Sequence, residues 1–342
     1  MTIQEIDKNI KETKSLLSSK KKIVIVPHMS PDGDAMGSCC ALSLYLQNEG
    51  HEVNVITPDS FPTYLAWIPG IDSVSVFIDN RKAAKKKIEA AEVFFFLDHN
   101  NESRQGDMQK YVEACDVPKI MIDHHPEPKA NVDIMFSRVD VTSTCEMVYE
   151  FIVAMTGVEA VTKDIATGIY VGINTDTGGL SYNSSFPQTY RIVASLIEIG
   201  IDKPFIHEMI YNTFSEDRLR LMGYCLNTKM KVIPECQAAI ISLTKKEMEQ
   251  FNYKDGDTEG FVNIPHGMQA VSLSILITEK KDKVKLSFRS KGEYPINKLA
   301  ADYFNGGGHR NAAGGALELP IEEVEQKLID VLPIFAKEVG IM

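Results

Sequence analysis

Ile23-Val-Ile-Val-Pro-His28-Met-Ser-Pro-Asp32-Gly-Asp34-Ala-Met-Gly-Ser38 decides how the rest of the chain is read. Residues 23–26 are apolar, β-branched and too few for a helix, which predicts a strand buried on both faces of a parallel sheet. Pro31 and Gly33 then bend the backbone through a turn that carries His28, Asp32 and Asp34. Residues 35–50 place small and apolar side chains on one side, as a helix does. An imidazole and two carboxylates therefore sit at the carboxyl end of a strand, where open α/β sheets bind their ligands. That donor mixture suits a borderline-hard divalent cation such as Mn²⁺ better than a thiolate-seeking one.

The pattern recurs downstream. Val93-Phe-Phe-Phe-Leu97 runs into Asp98, and Lys119-Ile-Met-Ile122 runs into Asp123-His124-His125. An apolar helix over 163–174 delivers Thr175-Asp176-Thr177-Gly-Gly179. With strands at 52–57 and 73–78 and helices at 3–19, 81–89 and 144–155, the alternation predicts an α/β domain: a parallel sheet with helices on both faces. All four Asp/His clusters then line one edge. A lone Asp after a strand is ordinarily a cap or turn residue. Four clusters on one rim resist that explanation, because packed carboxylates repel unless cations neutralise them. A dinuclear centre would neutralise them, with one carboxylate bridging ions about 3.5–4 Å apart and water activated for in-line displacement at phosphorus.

Residues 187–229 carry only helical patterns (188–199, 204–213 and 216–228), which predicts a connector after an N-terminal domain of residues 1–186. Residues 230–342 read as a smaller α+β domain. It has two strands within 230–243, a hairpin of 271–278 with 283–290, a short helix at 297–304 and a closing helix at 320–336. The short helix leads into Asn305-Gly-Gly-Gly-His309-Arg310-Asn-Ala-Ala-Gly-Gly315. Successive glycines let backbone N–H groups converge on an anion. Gly306, Gly307, Gly308, His309 and Arg310 are thus candidate phosphate binders, as is Arg289, which can pair bidentately with phosphate. A plain flexible turn is the simpler reading of such a run, and the embedded His-Arg pair argues against it.

Composition narrows the partners. A formal net charge of −11 over 342 residues argues against a long nucleic-acid polymer, while leaving room for a small anion in a locally positive pocket. Six cysteines with no Cys-x-x-Cys pair suggest buried, reduced thiols in a cytoplasmic protein. The polar stretch 1–22 is no signal peptide, and no apolar run is long enough to cross a membrane. The basic run at 81–87 reads as a solvated helix face. His99 follows Asp98 and reads as structural, because side chains alternate along a strand end. Arg104 either reaches the cleft or pairs with a nearby acid. Thr144 and Glu146 read as a capping pair that starts a helix.

Together, His28-x-x-x-Asp32-x-Asp34, the Asp98 strand end, Asp123-His124-His125 and Thr175-Asp176-Thr177-Gly-Gly resemble the DHH phosphoesterase superfamily. The run at 306–315 resembles the glycine-rich motif of its DHHA1 domain. The motifs occur in the family's order and cover nearly the whole chain. One DHH and one DHHA1 domain are most similar to the bacterial branch that cleaves very short oligoribonucleotides (nanoRNA) to mononucleotides and 3′-phosphoadenosine 5′-phosphate (pAp) to AMP. The resemblance implies a two-metal phosphodiesterase and phosphatase using two Mn²⁺ ions, with Mg²⁺ or Co²⁺ as substitutes. His28, Asp32 and Asp98 would hold one ion, and Asp34, Asp98, His124 and Asp176 the other. Asp123 would orient a histidine, and His125 would face the substrate phosphate. Arg289, His309 and the glycines would hold the substrate's terminal phosphate or nucleotide, and a metal-activated hydroxide would attack. Hydrolysis of linear or cyclic dinucleotide signals, or of polyphosphate or pyrophosphate, would use the same scaffold. A homodimer fits the apolar helices.

Overall fold

A computed structural model describes residues 3–254 and 256–341, so the expected outer limits at 1 and 342 lie outside the described residues. The chain forms two compact units, with the boundary between Thr213 and Phe214. In the first unit the elements run α1 (Ile3–Leu16), β1 (Lys22–Val26), α2 (Gly33–Asn48), β2 (Glu52–Thr57), β3 (Ser75–Val76), α3 (Arg81–Glu89), β4 (Val93–Leu97), α4 (Gln109–Glu113), β5 (Lys119–Asp123), β6 (Ile134–Ser137), α5 (Thr144–Met155), α6 (Lys163–Asp176), α7 (Pro187–Ile199) and α8 (Lys203–Tyr211).

The six strands are all parallel, in the order β3-β2-β1-β4-β5-β6. Ile23 and Ile25 point into one core with Met36, Phe95, Ile122 and Ile169. Val24 and Val26 point into the opposite core with Ile56, Ile88, Phe96 and Met121. Both faces of β1 are therefore dry, which explains a continuous rather than alternating apolar run. The chain builds outward from β1 to β3, then returns to place β4 beside β1. The direction of winding thus reverses between β1 and β4, and beyond their carboxyl ends the crossover helices diverge to leave a crevice.

Three helices close tightly around that crevice through glycine. A side chain at Gly37 of α2 would meet the Gly168 carbonyl of α6 at 2.4 Å. One at Gly172 of α6 would meet Cys145 Sγ at 2.2 Å and Asp34 Oδ1 at 2.5 Å. Two strands differ from expectation. Strand β3 is cut to two residues because Ile71–Ser73 forms a 3₁₀ turn. Strand β6 was not foreseen, being four residues long with only half of them buried.

The second unit runs α9 (Glu216–Tyr224), which continues into a π-helical turn at Cys225–Lys229, then β7 (Met230–Ile233), β8 (Ala238–Leu243), α10 (Lys245–Glu249), β9 (Leu273–Glu279), β10 (Val284–Ser290), α11 (Ile296–Tyr303), β11 (Gly307–His309), β12 (Ala312–Leu317) and α12 (Ile321–Glu338). Its mixed sheet has the order β11-β12-β10-β9-β8-β7. One face packs Leu286 and Phe288 against Leu299, Leu328 and Phe335 of α11 and α12. The other packs Ile241 and Leu276 against Leu221, Met248 and Phe261. The helical stretch 187–229 is shared between the units: Ile192, Leu196 and Ile206 join the core of the first, and Leu221 and Cys225 join that of the second.

Glycine to alanine inside a helix ordinarily stabilises by about 1 kcal/mol. Gly172→Ala should reverse that sign and cost about 1–3 kcal/mol, as overpacking does. The urea midpoint measures it, and a raised midpoint would refute the close approach.

Candidate active site

Each sequence-predicted residue of the first unit reaches the crevice from the end of a regular element. His28 lies two residues beyond β1. Its Nδ1–H donates to the Met29 carbonyl at 2.8 Å, and its Nε2 lies 3.3 Å from Asp98 Oδ2 and 3.9 Å from Asp32 Oδ1. Asp32 is the N-cap of α2: its Oδ1 accepts from the Asp34 and Ala35 N–H groups, both at 3.1 Å. Capping and facing His28 are therefore compatible roles for one side chain. Asp98 directly follows β4 in a left-handed conformation, φ 60°, rare for a residue with a side chain and typical of constrained functional positions. His124 follows β5, with Nε2 at 3.5 Å from Asp98 Oδ1, 3.8 Å from Asp34 Oδ2 and 3.3 Å from Asp176 Oδ2. Asp176 is the last residue of α6, two residues farther into the helix than the apolar pattern predicts. Asp98 thus turns Oδ2 to His28 and Oδ1 to His124.

These residues form two donor sets, His28/Asp32/Asp98 and Asp34/His124/Asp176. Within each set the atoms lie within 4.8 Å of one another. Separations of 3.3–3.9 Å are long for hydrogen bonds. Donors about 2.1 Å from one octahedral ion stand about 3.0 Å apart when adjacent and about 4.2 Å when opposite, so the observed separations fall between the two and leave room for a cation among the donors. The protonation of His28 points the same way. A carbonyl only accepts, so Nδ1 carries the proton, as in metal-ligating histidines, and Nε2 faces carboxylate oxygens. A lone pair facing carboxylates needs a proton or a cation between them. Imidazoles and carboxylates without thiolate fit Mn²⁺- or Mg²⁺-type ions, so the residues present suit a divalent metal.

The amino end of α5 completes the site, and the sequence reading missed it. The Thr144 and Cys145 N–H groups donate to Asp34 Oδ2 and Oδ1 at 2.6 and 2.8 Å, and Thr144 Oγ1–H donates to Asp98 Oδ1 at 2.9 Å. The expected Thr144/Glu146 capping pair is not what forms. Ser143 is the N-cap, accepting from the Glu146 N–H at 3.1 Å. Glu146 is buried, and its Oε2 accepts from Thr142 N–H, Thr142 Oγ1–H and Thr189 Oγ1–H. The physical reason is position: Thr144 is the first helical residue, one past the cap, so its hydroxyl is free to reach Asp98.

Electrostatics follow from burial. Burial pushes the Asp34 carboxyl well above the usual range, and the charges of Asp98 and Asp32 add to it, against the two N–H donors. Burial also opposes charge on Asp98, yet the adjoining His28, His125 and His124 imidazoles hold it well below that range. Burial lowers His124. It opposes charge on His125 as well, but Asp123 outweighs it and raises that imidazole. The Asp123 Oδ1–His125 Nδ1 pair lies at 2.7 Å, and Asp123 Oδ2 accepts from the His125 N–H at 3.1 Å. His99 turns away: Nδ1–H donates to the Leu97 carbonyl, Nε2 accepts from Gln105, and burial pushes it down to about 4. Arg104 Nη1 lies 3.5 Å from His125 Nε2.

In the second unit the expected glycine-rich loop is mostly a hairpin, β11 with β12. The glycines serve close pairing: a side chain at Gly306 would meet the Gly314 carbonyl at 2.0 Å, and Gly308, with φ 136°, would meet that of Ala312 at 2.6 Å. Arg289 of β10 and His309 of β11 both register against Ala312, which puts them on one face of the sheet. Arg310 lies in the turn. Its guanidinium is committed to Glu293, with Nε and Nη2 donating to the carbonyl and Nη1 paired with the carboxylate.

Residues 22–173 match the N-terminal domain of the DHH family, and residues 237–338 match the DHHA1 domain. The chain is 42% identical to an exopolyphosphatase-related protein from Bacteroides fragilis, whose crystal structure matches with a TM-score of 0.88 over 96% of this chain and 97% of that one. The chain belongs to the DHH/DHHA1 phosphoesterase superfamily. This DHH protein is also 29% identical over 301 residues to the bifunctional oligoribonuclease and PAP phosphatase NrnA of Bacillus subtilis, covering 86% of this chain and 89% of that one. With RecJ from Thermus thermophilus it shares the fold, at 12% identity and a TM-score of 0.56 over 99% of this chain and 55% of that one. The DHH relatives support a phosphoesterase, a hydrolase of phosphate esters. All six cysteines are free, and among the described residues no helix is long and apolar enough to cross a membrane.

Thr144→Val keeps the shape and removes the hydroxyl donated to Asp98. Loss of a partner behind a ligand typically costs roughly 10–100-fold in metal affinity. Mn²⁺ titration calorimetry should show a loss in that range with Thr144→Ser near wild type; equal affinities would make the hydroxyl dispensable.

Proposed function

We propose that this DHH/DHHA1 protein is a divalent-metal phosphoesterase that hydrolyses short oligoribonucleotides to mononucleotides and pAp to AMP. The observation that carries the reading is Asp98, one carboxylate turned by its two oxygens toward two complete donor sets. His28, Asp32 and Asp98 would hold one ion, and Asp34, Asp98, His124 and Asp176 the other, with Mn²⁺ the preferred metal and Mg²⁺ or Co²⁺ substitutes. When bound, such a pair supplies charge neutralisation at phosphorus and lowers the pKa of water.

The chain's own residues supply the rest. The α5 N–H groups and Thr144 fix the orientation of Asp34 and Asp98 before substrate arrives. Asp123 holds His125 by Nδ1, so its transferable proton sits on Nε2, where it can protonate the leaving oxygen as water attacks in line on the opposite side of phosphorus. Residues 1–186 act as the metal domain, 187–229 as connector and 230–342 as the substrate domain. There Arg289 and His309, with Gly306, Gly307 and Gly308, hold the terminal phosphate or nucleotide, while Arg310, expected to join them, is engaged by Glu293. The substrate class comes from the relatives named as bifunctional oligoribonuclease and PAP phosphatase. A second reading, hydrolysis of polyphosphate or pyrophosphate, is favoured by the name of the Bacteroides fragilis protein.

One assay with Mn²⁺ compares pAp, a 5′-phosphorylated RNA dinucleotide, a 24-mer RNA and pyrophosphate. Turnover concentrated on the first two is expected, and turnover of pyrophosphate alone would replace this reading with the second. Asp98→Ala should abolish turnover and strip bound metal while the circular dichroism spectrum persists; retained activity would sink the shared-ligand assignment. Arg289→Ala should raise KM with metal content unchanged, and a fall in metal content at constant KM would contradict the division of labour.

A further inference from the structure

Arg104 is presented to the candidate site by a heavily anchored backbone, yet its guanidinium has no acid to hold. The backbone anchors come from three directions. The Arg104 carbonyl accepts from the Met29 N–H at 2.7 Å, tying it to the residue after His28. Gln105 next to it is fully buried and donates to His99 Nε2 at 3.1 Å. Asn101 caps the turn that carries it, accepting from the Ser103 N–H at 2.9 Å, and Asn100 Nδ2–H donates to the Pro126 carbonyl at 2.6 Å, just past His125. Gly106, at φ 55° and ψ −138°, turns the chain away immediately after.

The side chain differs from four of the other arginines. Arg81, Arg138, Arg220 and Arg310 each hold a carboxylate. Arg104 approaches His125 Nε2 at 3.5 Å, and among the described residues no carboxylate lies within 4.0 Å of its guanidinium. A fixed cation beside an acidic cluster, paired with no carboxylate of its own, is a geometry for a third party that is anionic. A planar guanidinium matches two oxygens of one phosphate, and such a group is most useful where charge grows during reaction.

We infer that Arg104 is the phosphate-binding cation of the N-terminal unit, donating to non-bridging oxygens of the scissile phosphate beside His125. The inference rests on the phosphoesterase reading above and adds to it a group outside the metal-type donor sets. Arg104 lowers the cost of negative charge at phosphorus, while His125 and Asp123 handle the proton.

The test compares Arg104→Ala and Arg104→Lys with Arg81→Ala, whose guanidinium is paired on the surface with Asp107. Three quantities are read: kcat/KM on the four-substrate panel with Mn²⁺, bound metal per chain, and the Kd for inorganic phosphate by calorimetry. Arg104→Ala should lose about 100-fold in kcat/KM, the usual cost of one transition-state donor, and about tenfold or more in phosphate affinity. Metal content should be unchanged, Arg104→Lys intermediate and Arg81→Ala like wild type. Values for Arg104→Ala within threefold of wild type would overturn the inference. A loss that tracks lost metal, or a lower kcat with unchanged phosphate Kd, would overturn it too, since the residue would then act through the ligands or through His125. Wild-type protein that turns over none of the esters would remove the phosphoesterase reading instead. The phosphate titration then decides Arg104 alone: a tenfold loss in Arg104→Ala supports it and an unchanged Kd overturns it.

Discussion

Two carboxylates buried next to each other set the terms for the first unit. Asp34 is fully inaccessible and Asp98 is 2% exposed. Burying one carboxylate without partners is expensive, and burying two side by side is worse because each opposes ionisation of the other. The fold answers with donors, the amino end of α5 for Asp34 and the Thr144 hydroxyl for Asp98, and it sets three imidazoles around Asp98. A helix amino terminus is an apt choice, since its N–H groups are otherwise unsatisfied and its dipole favours a negative charge. Those donors neutralise only part of the charge, and what remains is a socket whose natural complement is a divalent cation.

The socket also dictates the packing around it. Asp34 sits in the first turn of α2, so the amino end of α5 must come within hydrogen-bond reach of α2, with α6 pressed against both. Side chains at Gly37 and Gly172 would hold the three helices apart by more than the donor geometry allows. Glu146 then fixes the Thr142 and Thr189 hydroxyls behind α5, which keeps its first turn from sliding away from the site. A core glycine and a buried glutamate with no direct part in the chemistry thereby acquire a stake in it.

How much of this could be read beforehand follows from which interactions leave a mark in residue type. Strand ends do: the apolar runs at 23–26, 93–97 and 119–122 stop at His or Asp, so His28, Asp98 and His124 were legible without coordinates. Backbone donors leave none, because any residue carries an N–H, and the clamp on Asp34 was invisible for that reason. Thr144 resembled a helix cap because a threonine near a helix start usually is one; only the position of Ser143 shows that the cap is already taken. Arg104 stood open between two roles because the pairing of a loop arginine depends on how the loop is anchored. Strand β6 escaped because four half-buried residues carry too little periodicity.

The glycine run of the second unit shows the same limit from the other side. Composition correctly marks 306–315 as unusual but cannot distinguish a loop that wraps an anion from a hairpin whose strands need glycine to approach. The register decides. Phe288 and Ala313 face the core with α11 and α12, so Arg289, Ala312 and His309 line the opposite face. On that face the packed residues Ile241, Leu243 and Leu276 belong to β8 and β9, and none comes from β10, β11 or β12. Ser287, Gly314 and Gly307 continue the row beside Arg289 and His309. These three residues are small, so the floor of the sheet is low beside Arg289 and His309. Arg310, one residue beyond His309, lies in the turn and bonds to Glu293 instead. Two adjacent basic residues in one motif therefore divide into one that borders the low floor and one that locks the turn, a division that strand pairing makes and residue type does not.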